Sequence, residues 1–324
     1  MTNPLVGVHM ITYNHGPYIG EAIEGVLAQV TDFPFELVIG EDCSTDGTRE
    51  TVFDYQRRYP NLVRVVTSDS NVGSIENARR TFGECAAKYV AFCEGDDYWT
   101  NPCKLQKQVD FLKRNPDCSW CFHPATVLYA DGSGSDFITR PRKIAESDRY
   151  TIKDILLGAD TLAQTASVVI LRDAINLPEW FFTAPVGDYY LFLIASTNGK
   201  AGYLPEVMSA YRRFVKGSWT ESMKALDNKL TFYREHEKYL HIFNEYTGYK
   251  YDKYVKRAII NYRCILISHL TLKAPGKISS ALKEMRALRG SSLVNSLIFF
   301  SVLGRFLRNR IALKIRNRML KNTK

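Results

Sequence analysis

The stretch KYVAFCEGDDYWTNPCKL, residues 88–105, decides the fold. It opens with a short apolar run that is typical of a buried strand. The run leads directly into EGDD, which places three carboxylates within four residues. These carboxylates repel one another unless a cation lies between them, and Mg²⁺ and Mn²⁺ prefer oxygen ligands. The motif therefore predicts a divalent metal site at Glu94, Asp96 and Asp97, with a solvated turn ahead of the next helix as the alternative.

Upstream of this stretch, apolar runs and helical patterns alternate three times. The segments PLVGVHMIT, FELVIGED and LVRVVTSD predict strands, and a helix with 3.6-residue spacing is predicted after each of them. In the second helix Thr48 is the expected capping residue. Strands that alternate with helices through short connections favour right-handed crossovers, so we expect a mostly parallel sheet flanked by helices.

The residues that follow each predicted strand are the candidates for a functional site, because ligands bind beyond the carboxyl ends of strands in an open parallel sheet. Most of them are polar or acidic. They comprise Thr12, Tyr13 and Asn14 after the first strand; Glu41, Asp42, Ser44 and Asp46 after the second; Asp69, Asn71 and Gly73 after the third; and the three carboxylates of EGDD after the fourth.

Downstream of residue 105 the pattern remains mixed as far as about residue 222. A strand is predicted around residues 120–129, a buried strand at TASVVILR, and a helix at GDYYLFLIASTNG that ends at Gly199. From about residue 226 the pattern is helical to the last residue. We therefore expect an α/β domain followed by a C-terminal helical extension.

The positive charge of the chain is concentrated at its C-terminal end. The 324 residues carry 43 Lys and Arg against 34 Asp and Glu, a net charge of +9. Eight basic and no acidic residues lie in the last 21, GRFLRNRIALKIRNRMLKNTK, which follow the apolar run LVNSLIFFSVL. That run is too short to span a bilayer, which takes about 20 apolar residues.

This tail predicts a peripheral anchor on anionic lipid, because an apolar helix followed by a polybasic one suits a membrane surface. A helix packed on the protein with a solvated basic face is the alternative. The rest of the sequence is close to neutral, so nucleic acid is not an expected partner.

Seven cysteines are spread along the chain, and its first residues lack the charged and apolar regions of a secretory signal. We therefore expect free thiols in a reducing, cytoplasmic setting. Cys118 and Cys121 form a lone CxxC within a predicted strand, where a structural role is favoured over zinc or redox chemistry.

Four motifs between Pro4 and Asn101 resemble glycosyltransferase family 2, the inverting nucleotide-sugar-dependent enzymes with the GT-A fold. The motifs are VGVHMITYNHGPYIGEAIEGVLAQ, ELVIGEDCSTDGT, SDSNVGSIENARR and the stretch quoted first, in the family's order. The resemblance implies the GT-A fold, a nucleotide-sugar donor with UDP as the expected nucleotide, and a divalent cation, Mn²⁺ or Mg²⁺, as cofactor. The chain lacks the Gln-x-x-Arg-Trp segment and the membrane spans of processive synthases, so the resemblance favours transfer of one sugar per encounter.

The resemblance also assigns residues to the donor. It places Thr12, Tyr13 and Asn14 along the base and ribose, Asp42 on the base, Asn71 and Gly73 beside the nucleotide, and Glu94 and Asp96 at the two ends of the family's DxD element, with Asp97 next to it. Structural roles are the alternatives for some of them, Asn14 as a helix cap and Gly73 as a residue with positive φ. Glu94 departs from the usual Asp, and its extra methylene shifts the carboxylate by about 1–1.5 Å.

An inverting transfer needs a general base on the acceptor side of the sugar. In the family this base is an Asp that opens a helix after an apolar strand, and Asp188 in TAPVGDYYLFLIA matches it. A carboxylate stabilised by a helix N-terminus is the structural alternative, and Asp173 and Asp160 are the other candidate bases. The resemblance further suggests that Arg212 or Arg213, in SAYRRFVKGSW, contacts the donor diphosphate; an exposed basic pair is the alternative.

Together these patterns predict four segments. Residues 1–125 would form the nucleotide-sugar-binding half of a GT-A domain, and residues 126–222 the acceptor-binding half with the base. Residues 223–290 would form a helical extension, and residues 291–324 an apolar and then polybasic tail.

The function expected from the resemblance is metal-assisted transfer of one sugar to a hydroxyl of a saccharide acceptor. We expect the acceptor to be lipid-linked, for surface polysaccharide synthesis, and the protein to lie on the inner face of the membrane. A sugar nucleotidyltransferase would need a Gly-rich loop with a basic residue after the first strand, where this chain has TYNHGPY. A non-catalytic nucleotide- or glycan-binding module is the other alternative.

Overall fold

The computed structural model describes residues 3–139, 141, 148–158 and 162–273, and for residues 268–273 it describes the backbone only. The candidate base Asp160 and the tail predicted at 291–324 lie outside the described residues. The chain divides into two compact units, Met1–Ser222 and Met223–Lys324.

The described part of the first unit alternates strands and helices. Its strands are β1 Val6–Thr12, β2 Phe35–Glu41, β3 Val63–Val66, β4 Tyr89–Phe92, β5 Tyr98–Trp99, β6 Cys118–Phe122, β7 Ala125–Tyr129, β8 Phe137–Ile138, β9 Arg149–Tyr150, β10 Val169–Leu171, β11 Lys200–Tyr203 and β12 Ser209–Arg213. Its α-helices are α1 Ile19–Leu27, α2 Thr48–Arg58, α3 Ser74–Glu84, α4 Lys104–Arg114, α5 Ile152–Gly158, α6 Gly187–Ala195 and α7 Trp219–Ser222. Short 3₁₀ helices lie at Thr165–Ser167, Arg172–Ala174 and Glu179–Thr183.

A large mixed sheet has the strand order β3-β2-β1-β4-β10-β6-β11-β9. Strand β1 pairs in parallel with β2 and β4, and β2 pairs in parallel with β3, which confirms the parallel arrangement predicted for the first four strands. Beyond them the sheet becomes mixed, because β10 runs antiparallel to both β4 and β6.

A second, smaller sheet has the order β5-β12-β7-β8. Strand β12 pairs in parallel with β7 and antiparallel with β5. Because β5 begins one residue after the EGDD motif, this pairing brings residues 209–213 beside the acidic turn.

The central position of β1 explains its apolar sequence. It has a neighbouring strand on each side, and Val6, Val8 and Met10 are fully buried in the core cluster. A strand that is covered on both faces is apolar almost throughout rather than alternating. The apolar face of α1, with Ile19 and Ile23, packs into the same cluster.

The strand predicted around residues 120–129 is two strands in different sheets. Strands β6 and β7 are separated by His123 and Pro124, and proline has no N–H with which to continue a ladder. Cys118 and Cys121 lie buried in β6 as free thiols, in agreement with a structural role.

Two predicted helix ends differ from the structure. Helix α2 is preceded by Gly47 at φ 93°, and Thr48 is its first helical residue rather than its cap. The Asp46 carboxylate, two residues before Thr48, accepts hydrogen bonds from the N–H and hydroxyl of Thr48 and so supplies the cap. Helix α6 ends at Ala195 instead of Gly199, whose Cα lies so close to Ser119 that a Cβ would be 2.7 Å from its nitrogen.

The described part of the second unit contains the long helices α8 Leu226–Tyr246 and α9 Asp252–Lys273. Leu230 and Leu266 form a small buried cluster between these helices, and Arg263 pairs with Glu237 across them. Among the described residues, no helix is both long and apolar enough to cross a bilayer.

Candidate active site

The three carboxylates of EGDD converge directly after β4. One oxygen from each of Glu94, Asp96 and Asp97 lies within 4.8 Å of the others. Burial raises the pKa of Glu94 to about 8, and the charges of Asp96 and Asp188 add to this effect. Burial also raises the pKa of Asp97 well above its usual range, together with the charges of Asp96 and Glu94. Burial and mutual repulsion thus disfavour the charged forms of Glu94 and Asp97 unless a cation is present.

Gly95 is required in this turn by lack of space. A Cβ on Gly95 would lie 2.6 Å from Thr12 Oγ1 and 3.0 Å from His15 Nδ1. The Gly95 N–H donates to the carbonyl of Ile11 over 2.9 Å, so the turn rests directly on the end of β1. Thr12, which the sequence assigned to the donor, is buried behind the acidic turn.

Arg212 fastens the acidic turn to β12. Its main-chain N–H donates to Asp97 Oδ1 over 2.8 Å, and its Nη1 donates to the main-chain oxygen of Asp96 over 2.7 Å. Its Nη2 binds the Glu21 carboxylate on α1. Charged hydrogen bonds of this kind are stronger than neutral ones, so Arg212 holds Asp96 and Asp97 in place.

The two neighbouring arginines have different surroundings. The Arg212 guanidinium carbon lies 4.9 and 4.6 Å from the ring centres of Tyr18 and Tyr98. The Arg213 guanidinium carbon lies 5.6 and 4.9 Å from those of Tyr129 and Phe214. Arg212 is thus already bound within the protein, and contact between Arg213 and a diphosphate stays a prediction.

Asp188 comes to the same site from the start of helix α6. Its Oδ1 accepts the N–H of Tyr189 over 2.7 Å, and its charge contributes to the raised pKa of Glu94. An electrostatic interaction of that kind between buried or half-buried groups requires proximity. The charge of Asp188 thus acts on Glu94, and the role of Asp188 as a base stays a prediction.

Asp173, the other described candidate base, lies near the start of β4, at the opposite end of the strand from Glu94. The N–H of the preceding Arg172 donates to the carbonyl of Lys88, where β4 begins, whereas Glu94 follows the end of β4. The antiparallel direction of β10 causes this separation. Of the two described candidates, Asp188 is the one whose charge acts on Glu94.

The loop after β1 is tied to the loop after β2. Asn14 adopts φ 54°, its N–H donates to Ser44 Oγ over 3.0 Å, and its Oδ1 accepts the N–H of Thr45 over 2.9 Å. Asn14 thus bridges two loops instead of capping a helix. The adjacent Tyr13 is 44% exposed and available to a ligand.

Asp42 holds the turn at the end of β3. Its two carboxylate oxygens accept the N–H groups of Val72 and Gly73 over 2.8 and 3.0 Å, and Asn71 Nδ2 donates to its main-chain oxygen. Gly73 has φ 86° with open space at its Cβ position, so conformation rather than space requires glycine there. Contact between Asp42 and a base stays a prediction, and its structural role is to shape the loop beside it.

Three further residues lie at the site: Glu41, which was among the candidates that follow the predicted strands but was given no role, and His15 and Tyr211, which were not singled out. Glu41 is buried and accepts the N–H of Ser44 over 2.6 Å, which supports the loop after β2. His15 Nε2 lies 4.0 Å from Asp96 Oδ2. Burial raises the pKa of Tyr211 well above its usual range, and the charges of all four site carboxylates add to it. His15 and Tyr211 each stand next to a residue or motif that was singled out, but only the fold shows that they lie at the site.

The acidic turn fits a divalent cation. All three side chains offer hard oxygen ligands, and Asp97 Oδ2 is buried with no hydrogen-bond partner in the part of the chain that the structure describes. A buried carboxylate oxygen without a partner is costly, and a cation would satisfy it.

Comparison with curated proteins gives relatives over much of the chain. The uncharacterized protein Rv1520 of Mycobacterium tuberculosis is 40% identical over 210 residues, which are 64% of this chain and 59% of that protein. TuaG of Bacillus subtilis, named as a candidate teichuronic acid biosynthesis glycosyltransferase, is 28% identical over 263 residues, 80% of this chain and 98% of TuaG. The Escherichia coli protein WfgD, named as a UDP-Glc:α-D-GlcNAc-diphosphoundecaprenol β-1,3-glucosyltransferase, is 26% identical over 193 residues, 60% of this chain and 70% of WfgD.

Two solved structures share the fold. S. aureus TarS 1–349 in complex with UDP has a TM-score of 0.53 at 17% identity, over 93% of this chain and 79% of that one. The mannosyltransferase PcManGT from Pyrobaculum calidifontis, in complex with GDP-Man and Mn²⁺, has a TM-score of 0.54 at 17% identity, over 94% of this chain and 81% of that one. These likenesses confirm the GT-A fold. The sequence model described as Glycosyl transferase family 2 matches residues 7–174, and the chain therefore belongs to glycosyltransferase family 2.

Proposed function

We propose that the protein is an inverting glycosyltransferase that moves one sugar from a nucleotide-sugar donor to a hydroxyl of a saccharide acceptor. The observation that carries this proposal is the cluster of Glu94, Asp96 and Asp97 after β4, and the charge of Asp188 acts on Glu94 in this cluster. One group can accept a proton there while the others bind a cation. The sugar nucleotidyltransferase and the non-catalytic module are not favoured, because the family match and the glycosyltransferase names of relatives point to sugar transfer.

In this mechanism Asp188 removes the proton of the acceptor hydroxyl as that oxygen attacks the anomeric carbon. The new C–O bond forms as the bond to the donor diphosphate breaks, so a single displacement inverts the anomeric centre. The N-terminus of helix α6 favours negative charge on Asp188, as a base requires. Arg212 keeps the carbonyl of Asp96 and the carboxylate of Asp97 in position throughout.

Glu94, Asp96 and Asp97 would hold a divalent cation, Mn²⁺ or Mg²⁺. When bound, such a cation supplies positive charge that stabilises the departing nucleoside diphosphate. Manganese is the cation in the related PcManGT complex, whose fold this chain shares.

The donor is proposed to be UDP-linked, with Tyr13 and the loop shaped by Asp42 on its base. Support comes from the UDP bound to TarS and from the name of WfgD, whereas PcManGT is bound to GDP-Man. A thermal-shift screen of UDP-, GDP- and dTDP-sugars with Mn²⁺ tests this, and stabilisation by a GDP-sugar alone would refute it.

The acceptor is proposed to be a lipid-linked saccharide at the inner face of the membrane. Support comes from the diphosphoundecaprenol acceptor in the name of WfgD and from the polybasic tail, which lies outside the described residues. Vesicles of anionic phospholipid should co-sediment with the full chain and not with a chain truncated after Gly290. Equal binding by both would exclude the tail as the anchor.

Asp188→Asn tests the proposed base, with Asp173→Asn, near the start of β4, as a matched control. With a UDP-sugar from the screen, Mn²⁺ and undecaprenyl-diphosphate-linked GlcNAc, Asp188→Asn should lower kcat by about 100-fold or more. The Kd for UDP and Mn²⁺, measured by calorimetry, should stay within about twofold. Near wild-type turnover in Asp188→Asn would show that another group is the base.

A further inference from the structure

The second sheet presents an aromatic and basic surface that continues from the carboxylates. In the register of β12 with β7, Tyr211 pairs with Val127 and Arg213 with Tyr129. Paired residues and residues two apart lie on the same face of a sheet, so Tyr211, Arg213 and Tyr129 share one face. Phe137, which pairs with Val127 from β8, lies on that face too. Arg212 lies on the other face, where it binds Glu21.

This face starts at the carboxylates. The Arg212 N–H that precedes Arg213 donates to Asp97 Oδ1 over 2.8 Å, so β12 runs directly beside the acidic turn. The charges of Asp97, Glu94, Asp188 and Asp96 all reach the Tyr211 hydroxyl. Arg213 is two residues further along the strand, which is about 7 Å.

Four side chains form what we call the aromatic–arginine cluster: Tyr129, Phe137, Arg213 and Phe214. The ring centre of Tyr129 lies 6.3 Å from that of Phe137 and 5.7 Å from that of Phe214, and Arg213 lies over Tyr129 and Phe214. Phe137 is 45% exposed on the edge strand. In the described residues the Arg213 guanidinium has no hydrogen bond or ion pair to a protein group, in contrast to that of Arg212.

The backbone at the cluster is held in an uncommon conformation. Phe214 has φ 62°, and its N–H donates to Thr220 Oγ1 over 2.8 Å. A bulky residue with positive φ costs free energy, and such residues occur preferentially at binding sites. Here the conformation turns the chain so that the Phe214 ring meets both Tyr129 and Arg213.

We infer that the aromatic–arginine cluster binds the acceptor, and that the acceptor is a saccharide bearing a phosphate group. Its sugar ring would pack against Tyr129 and the exposed face of Phe137, and its phosphate would accept hydrogen bonds from Arg213. An arginine guanidinium suits phosphate because its N–H groups can bind two oxygens together. The nearby carboxylates would repel an anionic acceptor, and a positive charge at its phosphate would offset that repulsion. This inference rests on the proposed function, since it places the acceptor beside Asp188.

The test is saturation-transfer NMR of GlcNAc 1-phosphate on the full chain, with saturating UDP and Mn²⁺ present. The sugar phosphate should still bind, since the donor site is then filled. Arg213→Met and Phe137→Ala should each weaken its binding about tenfold. The matched control is Ile138→Ala, because Ile138 is 47% exposed on the same edge strand and faces the opposite side. This control should bind within about twofold of the wild type.

Three results would overturn the inference. First, UDP could displace the sugar phosphate completely, which would assign Arg213 to the donor diphosphate. Second, all variants could bind the sugar phosphate as well as the wild type does. Third, the wild type could fail to bind it at 10 mM ligand. Neutral GlcNAc tests the contribution of the phosphate. The wild type should bind GlcNAc at least tenfold more weakly than GlcNAc 1-phosphate, and Arg213→Met should bind GlcNAc as well as the wild type does.

The binding measurement does not depend on turnover, which keeps the two proposals separable. If Asp188→Asn keeps its turnover while Arg213→Met loses the sugar phosphate, the proposed base fails and the acceptor surface stands. If Asp188→Asn loses turnover and all cluster variants bind normally, the reverse holds.

Discussion

Gly95→Ala is a direct test of how the acidic turn is held. The added Cβ would lie 2.6 Å from Thr12 Oγ1, 2.7 Å from Thr12 Cβ and 3.0 Å from His15 Nδ1. Thr12 is buried at the end of β1, where it pairs with Glu41, and its branched side chain has few alternative rotamers. The turn itself must therefore move away from β1.

The size of the effect follows from these distances. An ordinary Cβ contact begins at 3.4 Å, so the turn must shift by about 0.8 Å relative to Thr12. Overpacking of a filled site costs about 1–3 kcal/mol. In a unit of this size 1 kcal/mol shifts Tm by about 2–4 °C, so we expect Tm to fall by about 2–12 °C. A displacement of this order at catalytic groups lowers kcat/KM by about 100-fold.

The matched control is Gly83→Ala in helix α3. A Cβ there meets nothing within 4 Å, and alanine is the better helix former, so stability should rise by about 0.5–1 kcal/mol. Calorimetric unfolding in EDTA measures stability, and a Mn²⁺ titration followed by electron paramagnetic resonance measures the metal Kd. The reasoning is refuted if Gly95→Ala unfolds at the wild-type temperature and binds Mn²⁺ with the wild-type Kd.

Three further predictions concern other parts of the first unit. Arg212→Met should raise the Mn²⁺ Kd at least tenfold, since Asp96 and Asp97 lose the guanidinium that holds their turn, and Arg212→Lys should recover part of it; equal Kd values for both variants and wild type would exclude this role. Asp96→Asn should abolish Mn²⁺ binding as measured by electron paramagnetic resonance, and a wild-type Mn²⁺ Kd in this variant would show that the cation lies elsewhere. Burial lowers the pKa of His9 from 6.5 to about 4, so the folded protein favours the neutral ring and loses stability as pH falls below 6.5. This group should account for a loss of about 2 kcal/mol between pH 7 and pH 5. Urea unfolding of His9→Phe should show a correspondingly smaller loss, and an unchanged loss would contradict the assignment.

Much of the first half of the fold could be predicted from local sequence. The positions of the first four strands along the chain and the position of EGDD after β4 both follow from apolar runs that end at turn residues. Such patterns involve only neighbouring residues, and the apolar character of β1 reflects its central place. Less of the second half was predictable. The break at Pro124 moves β7 into another sheet, and no periodicity within residues 120–129 indicates which partner each strand will find.

By itself, the sequence determined the family, the acidic turn and Asp188 as the candidate base, because each is a motif of a few adjacent residues. Only the tertiary structure decided how Arg212 and Arg213 differ. Arg212 meets the acidic turn across 115 residues of chain, through the register of β12 with β5 and β7. Successive residues of a strand face opposite sides, so a shift of one residue in that register would exchange the two arginines. Local sequence carries no record of such a register, and it is the strand pairing within the second sheet that places one arginine under the carboxylates and the other on the opposite face.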